Sequence, residues 1–487
     1  MTSPDTQPTS LYAKREPVFP RRVKGTFRTL KWWIMAVTLG IYYITPWIRW
    51  DRGPNLPDQA VLVDIANRRF FFFMIEIWPH EFYFVAGLLI MAGLGLFLFT
   101  SAAGRVWCGY ACPQTVWTDL FILVERWIEG DRNARVRLHH QSWNAEKIRK
   151  RLVKWVVWLF IGLATGGAWV FYFTDAPTLL GNLLTFSAHP AAYITIAILT
   201  LTTFAFGGFA REQICIYACP WPRIQAAMVD EDTITVAYRD WRGEPRGKLH
   251  KGAAPAKAAP DLVSSAPAKG DCIDCMACVN VCPMGIDIRN GQQMECITCA
   301  LCIDACDDVM DRVGKPRGLI SYLAYTDEVA ERAGGKPKSA WKHVFRLRTL
   351  LYTALWSGVG AALVVALFLR TDIDVNVTPV RNPTYVTLSD GAIRNTYDLR
   401  LLNKHGDDRQ FQISLTSDAA LDLTLEGAPG QVVTVPANQT MTQRIYLTAQ
   451  AGSPAALAER SELRLWVEDL SNTERVHHDT IFNGKGD

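Results

Sequence analysis

Charge is scarce in this sequence. Charged residues make up 20% of 487 residues, and the formal net charge is only +4. That balance argues against a nucleic-acid protein recognised by bulk charge. No Walker A loop is present. Two close glycine pairs, Gly93-x-Gly95 and Gly358-x-Gly360, lie inside apolar runs and follow no strand. They read as helix-packing notches, not as a dinucleotide turn. Residues 375–487 contain no cysteine, so that region cannot rely on a disulfide. A cleavable leader is not expected either. A polar, proline-bearing arm precedes the first apolar run, Leu30 to Trp47, which is long enough to stay in a membrane.

Apolar residues, by contrast, are abundant. They make up 49% of the chain, which excludes wholesale disorder. A bilayer span needs about 20 apolar residues. Five runs meet that need, at about 30–47, 82–100, 152–173, 191–209 and 350–369. Many of the 17 tryptophans sit at the ends of these runs, as interface anchors do. An ordinary soluble enzyme is thereby excluded. Lys and Arg mark the sides. The arm carries Lys14, Arg15, Arg21, Arg22, Lys24 and Arg28, the 101–151 loop is also basic, and the 174–190 loop has neither residue. The positive-inside rule then places the N-terminus in the cytoplasm and the C-terminal region outside. The expected location is a bacterial inner membrane, multi-pass, with that region in the periplasm.

Seven segments follow: an arm at 1–29, a four-helix membrane core at 30–251, an Ala/Pro linker at 252–270, a cysteine-dense module at 271–315, a connector at 316–349, a fifth transmembrane helix at 350–369 and an outer domain at 375–487. The linker reads as a semi-extended tether. In the outer domain, short alternating runs recur between turn residues, from YVTL to RVHHDTIF. They predict a β-sandwich of seven or eight strands. The core contains a repeat. Cys108-Gly-Tyr-Ala-Cys112-Pro113 and Cys215-Ile-Tyr-Ala-Cys219-Pro220 match at all positions but one, each just after the second helix of a pair.

All the cysteines fall into motifs. Cys272, Cys275, Cys278 and Cys282 run as CxxCxxCxxxCP, and Cys296, Cys299, Cys302 and Cys306 repeat the rhythm. This is the spacing of bacterial two-cluster ferredoxins. A tight turn aims three thiolates at one iron–sulfur cube, and the other run supplies the fourth. One cluster is expected on Cys272, Cys275, Cys278 and Cys306, the other on Cys282, Cys296, Cys299 and Cys302. Zinc takes four ligands, usually as two separated pairs, and fits the pattern poorly. Asp307, where proline often follows, and Asp308 are expected to bear on the potential of the cluster that Cys306 ligates.

The CxxxCP pairs are less specific. Proline suits a first helical turn, so Cys112 and Cys219 are expected at helix N-caps. A helix N-terminus and the nearby Arg105 and Arg211 favour thiolate. Four soft ligands at one membrane surface suit Cu(I) binding or dithiol–disulfide exchange. Packing and a structural disulfide stay open as alternatives. His80, His189, His477 and His478 read as loop or surface residues, and Met35, Met74 and Met91 as fillers. Trp32, Trp33, Tyr42 and Tyr43 line a quinone pocket if they are not an aromatic girdle.

Taken with GRVWCGYACPQTVWTDLF, which looks like a family signature segment, these motifs resemble the CcoG/FixG/RdxA family of membrane polyferredoxins over nearly the whole chain. The resemblance implies a multi-domain membrane protein. It has an α-helical transmembrane core, a cytoplasmic two-cluster ferredoxin-like module and a C-terminal Ig-like β-sandwich. Two [4Fe–4S] clusters are implied as cofactors. The implied activity is oxidoreductase: a cupric reductase that takes copper as substrate and makes Cu(I) for assembly of cbb3-type cytochrome c oxidase. Cys108, Cys112, Cys215 and Cys219 would then be its catalytic residues. Partners would be membrane lipid, oxidase subunits or copper-handling proteins and an electron donor still to be identified, with no nucleic acid. The alternatives are a quinol-linked conduit to another reductase and a non-enzymatic assembly scaffold.

Overall fold

The computed structural model describes residues 17–248, 270–370, 373–428 and 430–486. Nearly all of the linker expected at 252–270 lies outside them. The chain forms two compact units. The first joins the helical core and the cysteine module (up to residue 48, then 61–362), and the second comprises residues 49–60 and 363–487.

In the first unit, α1 (Thr26–Ile44) is followed by α2 (Tyr83–Ala103), α3 (Val106–Tyr110) and α4 (Pro113–Glu129). Next come α5 (Arg132–His140), α6 (Ala145–Val170) and α7 (Pro190–Thr203). Then α8 (Trp221–Met228), α9 (Ala277–Val281) and α10 (Leu301–Arg312) follow, and α11 (Leu347–Leu369), whose last residues belong to the second unit, completes the set used below. Among the described residues, four helical stretches are long and apolar enough to cross a membrane: Pro79–Ala103, Ala145–Val170, Pro190–Ala218 and Leu347–Leu369. These match four of the five expected spans. The fifth candidate, α1, is a 19-residue helix whose first turns carry Arg28 and Lys31. Both cations are buried against Asp119 of α4, with Arg28 Nη1 donating to Asp119 Oδ1 at 3.0 Å.

Local chemistry explains where the helices start and stop. Gly104, at a positive φ of 60°, ends α2 and lets the chain turn into α3. Asn144 caps α6, accepting the Lys147 N–H at 2.8 Å. The α1 cap comes from far away in sequence. Asp304, on α10 of the cysteine module, accepts the N–H groups of Phe27 and Arg28, the latter at 2.7 Å. A Cβ at Gly25 would strike that carboxylate. The glycine notches behave as expected in part. Gly95 faces Trp356 and Gly360 faces Met91, so α2 and α11 approach closely, while Gly93 and Gly358 face open space. Gly162 and Gly166 of α6 serve the same purpose against Thr200 and Ile196.

The stretch between the first two expected spans contains a small antiparallel sheet of Val61–Asp64, Arg69–Phe72 and Ile75–Ile77. Thr235–Tyr238 pairs with Ile320–Leu323 and frames the cysteine module.

The second unit is the predicted sandwich. One sheet orders Asp422–Leu425, Thr440–Ala449, Ile393–Asn403 and Ile373–Pro379, with Val386–Thr387 on its side. The other orders Val432–Val435, Arg409–Ser417, Arg460–Asp469 and Arg475–Asn483. Every pairing is antiparallel. Alternate residues such as Leu399, Leu401, Ile413, Ile445 and Leu465 fill the core. The eight short runs each form a strand. The additional one, Ile373–Pro379, begins just before the expected domain edge.

Candidate metal centre

The two cysteine loops follow the same backbone path. Asp274 and Met276 adopt left-handed φ values of 52° and 56°, and Thr298 and Ala300 adopt 54° and 59°. Each pair stands at the second and fourth positions after the first cysteine of its loop. Four non-glycine residues in this region are costly, roughly 1–3 kcal/mol each. Such reversals aim successive N–H groups inward as an anion-binding nest, a feature of many iron–sulfur sites. α9 and α10 begin directly after Met276 and Ala300.

The thiols gather in two groups. Burial pushes the Cys306 thiol up to about 12, with Cys278, Cys275 and Cys272 adding to the rise. Burial likewise pushes Cys282 to about 12, followed by Cys299 and then Cys296. Cys302 is raised well above the usual thiol range by burial and by Cys299, Cys296 and Cys282. Cys278, expected in the other set, also raises Cys302, so the two groups adjoin. Cys278, Cys282, Cys296, Cys299 and Cys302 line one hollow, with Met284, Ile286, Ile288 and Leu301 among its apolar walls. Soft donors, dry walls and inward N–H groups fit an anionic iron–sulfur cube. Loading such a site displaces protons from these thiols. Asp307 raises the Cys306 thiol further and accepts the Gly318 N–H at 2.9 Å. Asp308 instead turns to Arg312 at the surface.

The CxxxCP motifs meet beside this hollow. Cys108 has Cys112, Cys215 and Cys219 as electrostatic neighbours. Cys108 Sγ donates to buried Gln225 Oε1 at 3.1 Å, and Gln225 Nε2 donates to Thr100. Cys108 and Cys215 both pack against the apolar cluster that includes Cys299. Cys112 is the N-cap of α4, as expected, with Pro113 in the first turn. Cys219 departs from expectation. It stands one residue outside Pro220, which is the N-cap of α8. Cys215 lies in a π-helical turn, Ile214–Ala218, whereas Cys108 lies on the short α3. The sequence repeat is therefore not a repeat of backbone. π turns are frequent at functional sites.

The Cys108 thiol is held in its protonated form. Burial comes first, the other three thiols add to it, and Arg105 offsets only part, leaving the group at about 12. Arg105 spends its donors on the carbonyls of Met294, Cys296 and Pro222. Arg211 pairs with Glu125 and not with the thiols.

Several contacts were not foreseen from sequence. Tyr110 Oη donates to the Cys299 carbonyl at 3.1 Å, and Tyr322 Oη to the Thr298 carbonyl at 3.0 Å. A Cβ at Gly109 would lie 2.6 Å from the Ile297 oxygen and 3.0 Å from Cys299 Cα. α3 thus lies directly on the second cysteine loop. A Gly109→Ala variant is expected to wedge the two apart. It should cost about 1–3 kcal/mol of stability through overpacking and slow any reduction that depends on both sites. Thermal unfolding and stopped-flow reduction check both effects.

The remaining singled-out residues have structural partners. Tyr42 and Tyr43 both hydrogen-bond Thr165, and Trp117 joins them there. Arg28 stacks on Trp32, and Trp33 is exposed. His189 caps α7, and His477 packs on Trp466.

Fold and site together define a membrane iron–sulfur protein of electron transfer, carrying an Ig-like domain. Comparisons agree. Residues 210–325 match a 4Fe–4S dicluster domain, 84–131 a 4Fe–4S binding domain, and 363–485 the Ig-like fold at the C-terminus of FixG. The chain is 78% identical to the protein RdxB of Cereibacter sphaeroides over the whole of both chains. It is 67% identical to RdxA of the same organism, over 95% of this chain and 96% of that one. It is 52% identical to the nitrogen fixation protein FixG of Rhizobium meliloti, over 98% of this chain and 94% of the relative. The chain belongs to the FixG/RdxA family.

Proposed function

We propose that the protein reduces Cu(II) to Cu(I) at the CxxxCP thiols, for assembly of a cbb3-type oxidase. The reading rests on one observation: four thiols share a neighbourhood that lies against the second cysteine loop. Cys272, Cys275, Cys278 and Cys306 would hold one [4Fe–4S] cluster, and Cys282, Cys296, Cys299 and Cys302 the other. Bound clusters supply single electrons. Tyr110, Tyr322 and Arg105 fix the loop against α3, so the distance between the two sites is set by hydrogen bonds to backbone. Copper enters as substrate. Cu(II) gains one electron supplied by an external donor, and the soft thiolates then favour Cu(I). Their protons leave as the metal binds. In this reading the module faces the cytoplasm of a bacterial inner membrane. The Ig-like domain lies in the periplasm, where it meets oxidase subunits or copper-handling proteins.

The test is anaerobic cupric reduction by the full-length protein with a strong reductant. Serine at Cys108, Cys112, Cys215 and Cys219 should leave iron content intact and remove the catalysed rate. A variant that reduces copper as fast as the parent would end this reading. A quinol that reduces the clusters would identify the donor.

A further inference from the structure

A second cavity, lined by no cysteine, lies at the end of the spans where the basic loops gather. It has a volume of about 530 Å³. α5, α6 and the π-helical turn Phe204–Ala210 contribute to its wall. An ionic network runs through its lining and behind it. Glu125 pairs with Arg135, Lys154 and Arg211. Glu129 pairs with Lys154 at 2.8 Å and with Arg151 at 3.4 Å. Lys147 also lines the cavity, and its ammonium is held by the carbonyls of His139 and Gln141, which cancel no charge. Glu212 is the other carboxylate in the wall. The lining thus sets four cations, Lys147, Arg151, Lys154 and Arg211, against two carboxylates. Arg135 is fully buried, and its Nε and Nη1 find no hydrogen-bond partner.

Aromatic side chains form part of the same lining. Trp155, Trp158 and Phe209 supply them, and Trp155 and Phe209 are also exposed on membrane-spanning helices. The cavity thus joins a cationic lining to the surface that meets acyl chains. An excess of buried positive charge calls for an anion. A neutral quinone brings none. A free phosphate has no use for the indole wall. Basic pockets between transmembrane helices bind acidic lipid headgroups. We infer that this cavity binds the headgroup of an anionic phospholipid, with Lys147 and Arg151 meeting its phosphate and the indoles of Trp155 and Trp158 meeting its glycerol and upper acyl carbons.

The experiment uses the full chain with its clusters, purified in neutral detergent. Phosphatidylglycerol, phosphatidylcholine, inorganic phosphate and a ubiquinone analogue are each added. Bound lipid is read by native mass spectrometry and stability by thermal melting. Phosphatidylglycerol should stay bound through detergent exchange and raise the melting temperature, while phosphatidylcholine should not. The pair Lys147→Gln and Arg151→Gln should weaken binding about fivefold per lost charge, at unchanged iron content. Equal retention of phosphatidylcholine would overturn the inference. So would inorganic phosphate giving the whole stabilisation, or the quinone analogue displacing the lipid. The parent protein alone decides between the lipids, so the result stands even if the variants fail to fold.

Discussion

Serine at Cys299 is expected to halve the iron content and bring cupric reduction down to the uncatalysed rate. Cys299 is buried on the loop that α3 covers, and its carbonyl accepts the Tyr110 hydroxyl. Serine keeps that backbone contact and removes only the soft ligand. Iron should fall from about eight to about four atoms per chain, the complement of one [4Fe–4S] cube. The Cys275→Ser variant tests the other group. Cys275 is the exposed member of its loop and an electrostatic neighbour of Cys306. It should lose the other half of the iron. Iron and sulfide analysis with the reduction assay reads both variants. If either keeps full iron and full rate, the ligand sets are wrong.

Glu125→Gln is expected to cost about 3–5 kcal/mol, the usual penalty for breaking a buried ion pair. Glu125 is 3% exposed and meets three cations. Glutamine keeps the shape and leaves Arg135, Lys154 and Arg211 without their shared counter-charge. The same residue sets an acid limit. Burial opposes its charge, but Arg211, Arg135 and Lys154 outweigh burial and hold it at about 2. Its folded-state pKa therefore lies below its unfolded value. The stabilisation is complete above about pH 4.3 and fades as the pH falls towards 2. Melting temperatures across that range should drop more steeply for the parent than for the variant. Parallel slopes would remove Glu125 from the acid response.

Much of this was legible in the sequence because it depends on period and spacing. Alternation gave the sandwich strands, and the CxxCxxCxxxC rhythm gave the two thiol groups. The spans were legible for the same reason, save that α1 buries Arg28 and Lys31 against Asp119. What escaped depends on long-range partners. Asp304 capping α1, Tyr110 on Cys299 and Glu125 among three cations join residues far apart in the chain, and no local pattern marks them. The raised Cys108 thiol escaped for the same reason, since its surroundings in space are buried and crowded with other thiols from distant parts of the chain.

The Ala/Pro stretch before residue 271 suggests a module free to travel. Its seat says otherwise. Asp304 grips the start of α1, Arg105 grips the carbonyls of Met294 and Cys296, and Gly109 leaves no room beneath the loop. On the proposed function, a carrier held this way would pass electrons across a gap of fixed width, and turnover would follow driving force and tunnelling distance instead of the diffusion of a tethered domain.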